Sequence, residues 1–404
     1  MMIMEKQTQP NKIAIIAVTF NRIDSLQRLL ASLEHAHYTE EVSLIISVDK
    51  SDIDEVASFA NQYCWPHGEK MVVLQPRNLG LRSHMLSLGQ HFSKFDALVV
   101  LEDDVSVSPA FYDYVKACFS RYSDDDRIAG ISLYAHAVCN QNDLPFIPAK
   151  SEFDVYFMHY AASWGEVWMK RQWCAFYEWY QSHSDEFYLD NLPPCINRWP
   201  KTSWLKYHIR YCIETQKYFV YPYSSYSTNN ADSGVHFHYS DTLYQSVLQV
   251  TPQTAFRLPS LDESIIRYDG FFEPEYLAPY LFVDDKDLCV DLYGMKHPNL
   301  YRRYLLSTQS HPYRIVRSFA LELRPIEMNI IQNQQGQGIW LYDTTESAIA
   351  PKVDAYQRYY YLYGKAFYRA IFMLGGCKII KLLLDLIAYK LNKVFHWHLP
   401  CHLN

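Results

Sequence analysis

The sequence predicts an α/β protein in which a mostly parallel sheet is covered by helices on both faces, followed by a smaller α+β module and a helical tail. Three observations predict it. Short apolar runs at Ile13–Thr19, Val42–Val48, Met71–Gln75 and Ala97–Leu101 alternate with stretches of helical period. The runs are apolar at consecutive positions, as strands buried on both faces require. Polar residues gather just past three of them, at Thr19–Arg22, Asp49–Asp52 and Glu102–Asp104, and such sheets bind ligands beyond the carboxyl ends of their strands, where strand order reverses.

In order, Ile13–Thr19 (IAIIAVT) is the first strand. After a turn at Phe20–Ile23 comes a helix with Asp24 as N-cap and Leu26, Leu29, Leu30 and Leu33 on one face. Val42–Val48 (VSLIISV) ends in Asp49 and leads to a helical stretch carrying Val56, Phe59, Ala60 and Tyr63. Met71–Gln75 is a shorter third strand, and Asn78-Leu79-Gly80 leads into a helix with Leu81, Met85, Leu88 and Phe92 at helical spacing. Ala97–Leu101 is the fourth strand; Ser108 then serves as N-cap and Pro109 as first helical residue of a helix bearing Phe111, Tyr114, Val115, Cys118 and Phe119.

The fourth strand runs straight into Glu102, Asp103 and Asp104. Adjacent carboxylates repel one another and are costly to desolvate unless a cation or hydrogen-bond donors neutralise them. A hard divalent cation held through oxygens answers this, and so does a solvated turn. Arg22 offers charge for a phosphate and Asp49 suits a base or ribose. No Gly-x-Gly-x-x-Gly follows the first strand and no Walker-type loop is present, which counts against a dinucleotide dehydrogenase and a P-loop enzyme.

At 404 residues the chain can form one large or two ordinary domains. Hydrophobic content of 49% with 20% charged excludes a disordered chain. The 34 Tyr and 9 Trp suit stacking on bases and sugar rings, or aromatic-rich cores. A net charge of −7 without a basic block predicts no nucleic-acid partner. Nine scattered cysteines without metal-ligand spacing fit reduced thiols and a cytoplasmic location. No signal sequence is expected, and IAIIAV is too short to span a bilayer.

Taken together, VTFNRIDSLQRLLASL, IISVDKSD, LGLRSHMLSLGQ, LEDDVSVSPAFYDYV, AASWGEVWMKRQW and YPYSSYSTNNADSGVHF resemble the GT-A (Rossmann-like) glycosyltransferases. The resemblance covers roughly residues 12 to 240 and is nearest to the N-acetylglucosaminyltransferase I type and to bacterial surface-polysaccharide transferases. It implies a catalytic domain over 1–283 with a nucleotide-sugar donor, UDP-linked by the family's habit. It implies Mn²⁺ or Mg²⁺ on Asp104, the last of the acidic triplet, and donor contacts at Thr19, Arg22, Asp49, Arg82, Glu102 and Asp103, with His84 beside them. The inverting members carry a general-base aspartate where this chain has TSWLKYHIRY, with Leu205 after Trp204.

Proton removal from an acceptor hydroxyl needs a carboxylate or imidazole within reach. Glu166, Asp232 and His236 are the candidates; Asp232 also suits a turn cap, and His236 and His238 suit strand alternation. Trp164 and Trp168, four apart, share a face of a helix, as a sugar platform or as packing. Tyr221–Tyr226 (YPYSSY) is expected to form an aromatic lip near the acceptor.

Residues 284–350 form the small α+β module and 351–404 the tail. The tail's apolar stretch AFYRAIFMLGGCKIIKLLLDLIAYKLNKVF carries Arg369, Lys378, Lys381, Asp385, Lys390 and Lys393. It reads as an amphipathic helix, either lying on the inner face of a membrane or packing on protein. The expected function is transfer of a sugar to a saccharide or lipid-linked saccharide acceptor in bacterial surface-polysaccharide synthesis, metal-dependent and inverting. A sugar nucleotidyltransferase and a catalytically silent nucleotide-sugar or glycan-binding subunit are the alternatives.

Overall fold

The computed structural model describes residues 12–232, 243–364, 380 and 384. Residues 1–351 belong to one compact unit and 352–404 to a second. The chain opens with β1 (Ile13–Thr19), α1 (Ile23–Glu34), β2 (Ser43–Val48), α2 (Glu55–Gln62), β3 (Lys70–Leu74), α3 (Leu81–Ser87) and β4 (Ala97–Glu102). It continues through β5 (Val105–Val107), α4 (Phe111–Tyr122), β6 (Ile128–Ser132), β7 (Val155–Met158), β8 (Glu166–Met169), α5 (Lys170–Ser182) and α6 (Pro194–Arg198). Then come α7 (Leu205–Glu214), β9 (Tyr218–Pro222), β10 (Ser227–Asn229) and β11 (Arg267–Tyr268).

Nine of these strands form one sheet in the order β11-β7-β9-β6-β8-β4-β1-β2-β3. The β4-β1-β2-β3 half is wholly parallel, with Val18 beside Ser47 on one flank and Glu102 on the other. β1 is buried along its whole length and β4 up to Leu101, which is why their sequences show no alternation. On α1, Leu26, Leu29, Leu30 and Leu33 face the core. Strand order reverses between β1 and β4.

The sequence reading needs correction at several local points. α1 is capped at Arg22, and Asp24 sits inside the first turn, where its charge suits the helix dipole. α4 starts at Phe111 because Ser108 Oγ accepts the Ala110 N–H at 3.0 Å and closes a turn ahead of the helix. Trp164 and Trp168 do not share a helix: Trp164 lies in a connection, while Trp168 belongs to β8, which fits antiparallel between β4 and β6. That ladder, with β-favouring Val167 and Trp168, overrides the helical spacing. Tyr221 and Tyr226 form no lip; both are buried, Tyr226 stacked on Tyr114 with ring centroids 4.4 Å apart.

After α8 (Ala278–Leu281), β12 (Leu288–Asp291), β13 (Tyr304–Ser307), β14 (Tyr313–Phe319) and β15 (Ile339–Ser347) build a second sheet in the order β12-β13-β15-β14, with α9 (Met328–Ile331) between its last two strands. Glu327, buried, ties it to the large sheet by accepting the hydroxyls of Tyr268 at 2.6 Å and Tyr276 at 2.8 Å. Lys296 adds an ion pair with Asp269 at 2.5 Å. In the second unit, α10 (Ala355–Tyr363) is capped by Asp354, whose carboxylate accepts the N–H groups of Tyr356 and Gln357. Most of the expected tail helix, 365–404, lies outside the described residues.

Candidate active site

The carboxyl ends of β1 and β4 meet at the reversal of strand order. Thr19, last in β1, donates its hydroxyl to Asp103 at 2.7 Å. Arg22 pairs with Asp103 and lies 3.3–3.4 Å from Asp104 through both terminal nitrogens. Burial is the largest influence on both partners of the Arg22–Asp103 pair and works against charge on each. At Arg22, whose side chain is 28% exposed, the charges of Asp103 and Asp104 outweigh it, and the guanidinium pKa is raised. At Asp103, 3% exposed, burial prevails over Arg22 and the Thr19 hydroxyl, and the carboxyl is pushed above its ordinary value.

The acidic turn is gripped from its other side as well. β5 pairs antiparallel with β10, and Asn230 donates its backbone N–H at 2.8 Å and its side-chain amide at 3.1 Å to the Asp104 carbonyl. Two residues on, Asp232 accepts the Ser25 hydroxyl at 2.7 Å and pairs with Arg28 on α1.

Asp49 lies beside this junction, its N–H donating to the Thr19 carbonyl at 3.0 Å. The buried carboxylate accepts the backbone N–H groups of Lys50, Leu79 and Gly80 at 2.9–3.0 Å. Gly80 has φ of 73°, a left-handed conformation that glycine adopts freely and that folds the 78–80 turn back onto the carboxylate. Next to it, His84 bonds Ser47 Oγ at 2.7 Å; burial lowers its pKa against the opposing charge of Asp49. Arg82 turns toward α7, donating to the Tyr207 hydroxyl at 2.9 Å with its guanidinium 5.2 Å from that ring's centre.

Glu102 and Glu166 share one face of the sheet, because Glu166 stands opposite Val100, two residues before Glu102. Glu102 is half-buried. Its pKa is pushed up to about 8, first by desolvation and then by the charges of Asp104 and Asp103, with Arg22 and hydrogen bonding from Trp204 pulling the other way. Glu166 is fully buried and neither of its oxygens makes a hydrogen bond. Desolvation holds its carboxyl well above the usual range; the nearby Trp168 indole pulls the other way and Glu102 adds to the rise. His236 lies outside the described residues.

Among the described residues no three His, Cys, Asp or Glu side chains converge on one point. An ion here would take one carboxylate, Asp104, as a hard cation that keeps water and substrate phosphate ligands can. Trp204, Tyr207 and Asn230 belong to the site although the sequence reading assigns them no role in it. The Asn229-Asn230 doublet after the YPYSSY stretch was the one available signal, since Asn favours such side-chain-to-backbone turns.

Residues 1–179 match the model of the GNT-I family. No curated protein matches the sequence. Among solved structures, the mannosyltransferase PcManGT from Pyrobaculum calidifontis in complex with GDP-Man and Mn²⁺ is similar at 12% identity and a TM-score of 0.30, over 41% of this chain and 46% of that one. S. aureus TarS 1-349 in complex with UDP-GlcNAc is similar at 13% identity and 0.38, over 56% and 60%. A cytidylyltransferase from Leptospira borgpetersenii is similar at 13% and 0.25, over 42% and 64%. This chain therefore spans less than two thirds of each of these structures.

Proposed function

We propose that the chain, whose residues 1–179 match the GNT-I family model, is a glycosyltransferase that transfers a sugar from a UDP-sugar to a saccharide acceptor, with inversion, in bacterial surface-polysaccharide synthesis. The observation that carries this reading is the meeting of Arg22 with Asp103 and Asp104 at the reversal of strand order. Arg22 offers a planar fork to a donor diphosphate, a geometry that guanidinium matches bidentately. Asp103, tied by Thr19, holds that fork in place. Asp104 is the residue that would hold Mn²⁺ or Mg²⁺, and such an ion, when bound, acts as a Lewis acid on the leaving phosphate charge. Glu102, Asp49 and Arg82 complete the donor side. Glu166, Asp232 or His236 takes the acceptor's proton.

On this reading the catalytic domain is 1–283, with 284–350 as accessory module and 351–404 as a tail that rests on the inner face of a membrane and brings a lipid-linked acceptor within reach. Among the described residues no helix is long and apolar enough to cross a membrane.

One observation favours a second reading, a silent nucleotide-sugar-binding subunit. Leu205 is apolar, Glu166 is closed off from solvent, and Asp232 is engaged by Ser25 and Arg28. Incubation with Mn²⁺ and a panel of nucleotide sugars decides between them. Release of nucleoside diphosphate identifies the transferase and its donor; binding without turnover of any donor identifies the silent subunit. Pyrophosphate release from a nucleoside triphosphate and a sugar phosphate would replace both with a nucleotidyltransferase.

A further inference from the structure

Arg22 stands where a cation would have to go. Asp103 is occupied by Arg22 and by the Thr19 hydroxyl. Asp104, 21% exposed at its side chain, is the member of that pair with access to solvent, and both terminal nitrogens of Arg22 lie against its Oδ2. A hydrated divalent ion arriving alone would have to displace the guanidinium from this oxygen and then sit beside an unpaired positive charge. No three ligating side chains converge here, among the described residues, to overcome that repulsion. A diphosphate changes the balance, since it gives the guanidinium a new bidentate partner and brings further oxygens for the ion.

We propose that Arg22 is a resident counter-ion that keeps a divalent cation off Asp104 until a nucleoside diphosphate draws the guanidinium away, so that ion and nucleotide bind together. This rests on the reading above, in which Asp104 takes the ion and Arg22 the diphosphate. Arg22 thereby sets the order of binding as well as the affinity for the donor.

Mn²⁺ binding, followed by loss of the free-ion electron paramagnetic resonance signal, tests this without turnover. Wild-type protein should bind Mn²⁺ alone weakly, and saturating UDP (or GDP, should UDP not bind) should tighten it at least about fivefold. Arg22→Met should bind Mn²⁺ alone at least about fivefold more tightly than wild type, with little further gain from nucleotide. Arg28→Met, which removes an equal charge from the same helix where it pairs with Asp232, should leave binding of Mn²⁺ alone unchanged. Should Arg22→Met fail to fold, Arg22→Gln serves, because it removes the same charge while keeping a polar side chain, and the same direction is expected.

The proposal is overturned if the Arg22 variant binds Mn²⁺ alone no better than wild type, or if Arg28→Met matches it. Asp104→Asn separates this failure from failure of the underlying reading. If Mn²⁺ binding with nucleotide present is absent throughout, or is indifferent to Asp104→Asn, the ion site itself is wrong and the counter-ion role falls with it.

Discussion

The Thr19 hydroxyl donates to Asp103 at 2.7 Å and so ties the end of β1 to the end of β4 where the strand order reverses. Asp103 and Asp104 are neighbours in different surroundings, the first buried and the second partly open to solvent. Asp103→Asn breaks a largely buried pair and should cost about 2–3 kcal/mol, at or below the usual range for buried pairs because Arg22 keeps some water. Asp104→Asn should change stability by less than about 1 kcal/mol yet lower kcat/KM for donor turnover at least about a hundredfold, since a bound metal supplies several kcal/mol. Urea unfolding and steady-state kinetics on the two variants separate the roles.

Asp49→Ala leaves the N–H of Leu79 without its acceptor, while that of Gly80 keeps Asn78 Oδ1 at 2.9 Å. Loss of about 1–2 kcal/mol is expected, given the penalty for one orphaned, half-buried donor. The check is a lower urea midpoint at unchanged slope.

Glu166 carries a pH signature. Its folded-state pKa lies well above its ordinary 4.5, so the folded protein holds this proton more tightly than the unfolded chain. Its influence is therefore harmless below about pH 4.5 and erodes stability as pH rises above it, by up to about 1.4 kcal/mol per unit. Glu166→Gln removes that slope. The variant should gain on wild type steadily between pH 5 and 8.5, approximately the range in which chemical unfolding is readily followed; parallel curves would contradict the assignment.

Gly130 sits on β6 against β9, where an added Cβ would lie 2.5 Å from the Phe219 ring. Gly130→Ala should cost about 1–3 kcal/mol through overpacking. Thermal unfolding of the single variant reads it, and Phe219→Leu in the same background should recover part of the loss.

The inner strands of the parallel half were legible because β1, β2 and β4 are buried on both faces, which writes itself into sequence as largely apolar runs, whereas β3 at the edge is only half-buried. The leucine face of α1 was legible from period alone. What escaped depends on partners distant in the chain. Nothing local in EVWM announces a strand between β4 and β6, and YPYSSY carries no mark of Tyr226 stacking on Tyr114. The acidic triplet could be found, but its division of labour could not: which carboxylate is occupied follows from where Thr19 and Arg22 point. Asp49 is the clearest case, since its three backbone donors lie on its own neighbour and on a turn thirty residues away.

Residues 230–232 are stitched to two sides of the site, Asn230 to the Asp104 carbonyl just past β4 and Asp232 to Ser25 and Arg28 on α1. They form a strap between the acidic turn and α1. A chain ended before residue 227 would keep β1, α1 and β4, the pieces that carry the polar groups, and lose that strap. Trimming this protein to its recognisable amino-terminal portion should therefore yield the polar groups without this tie between them.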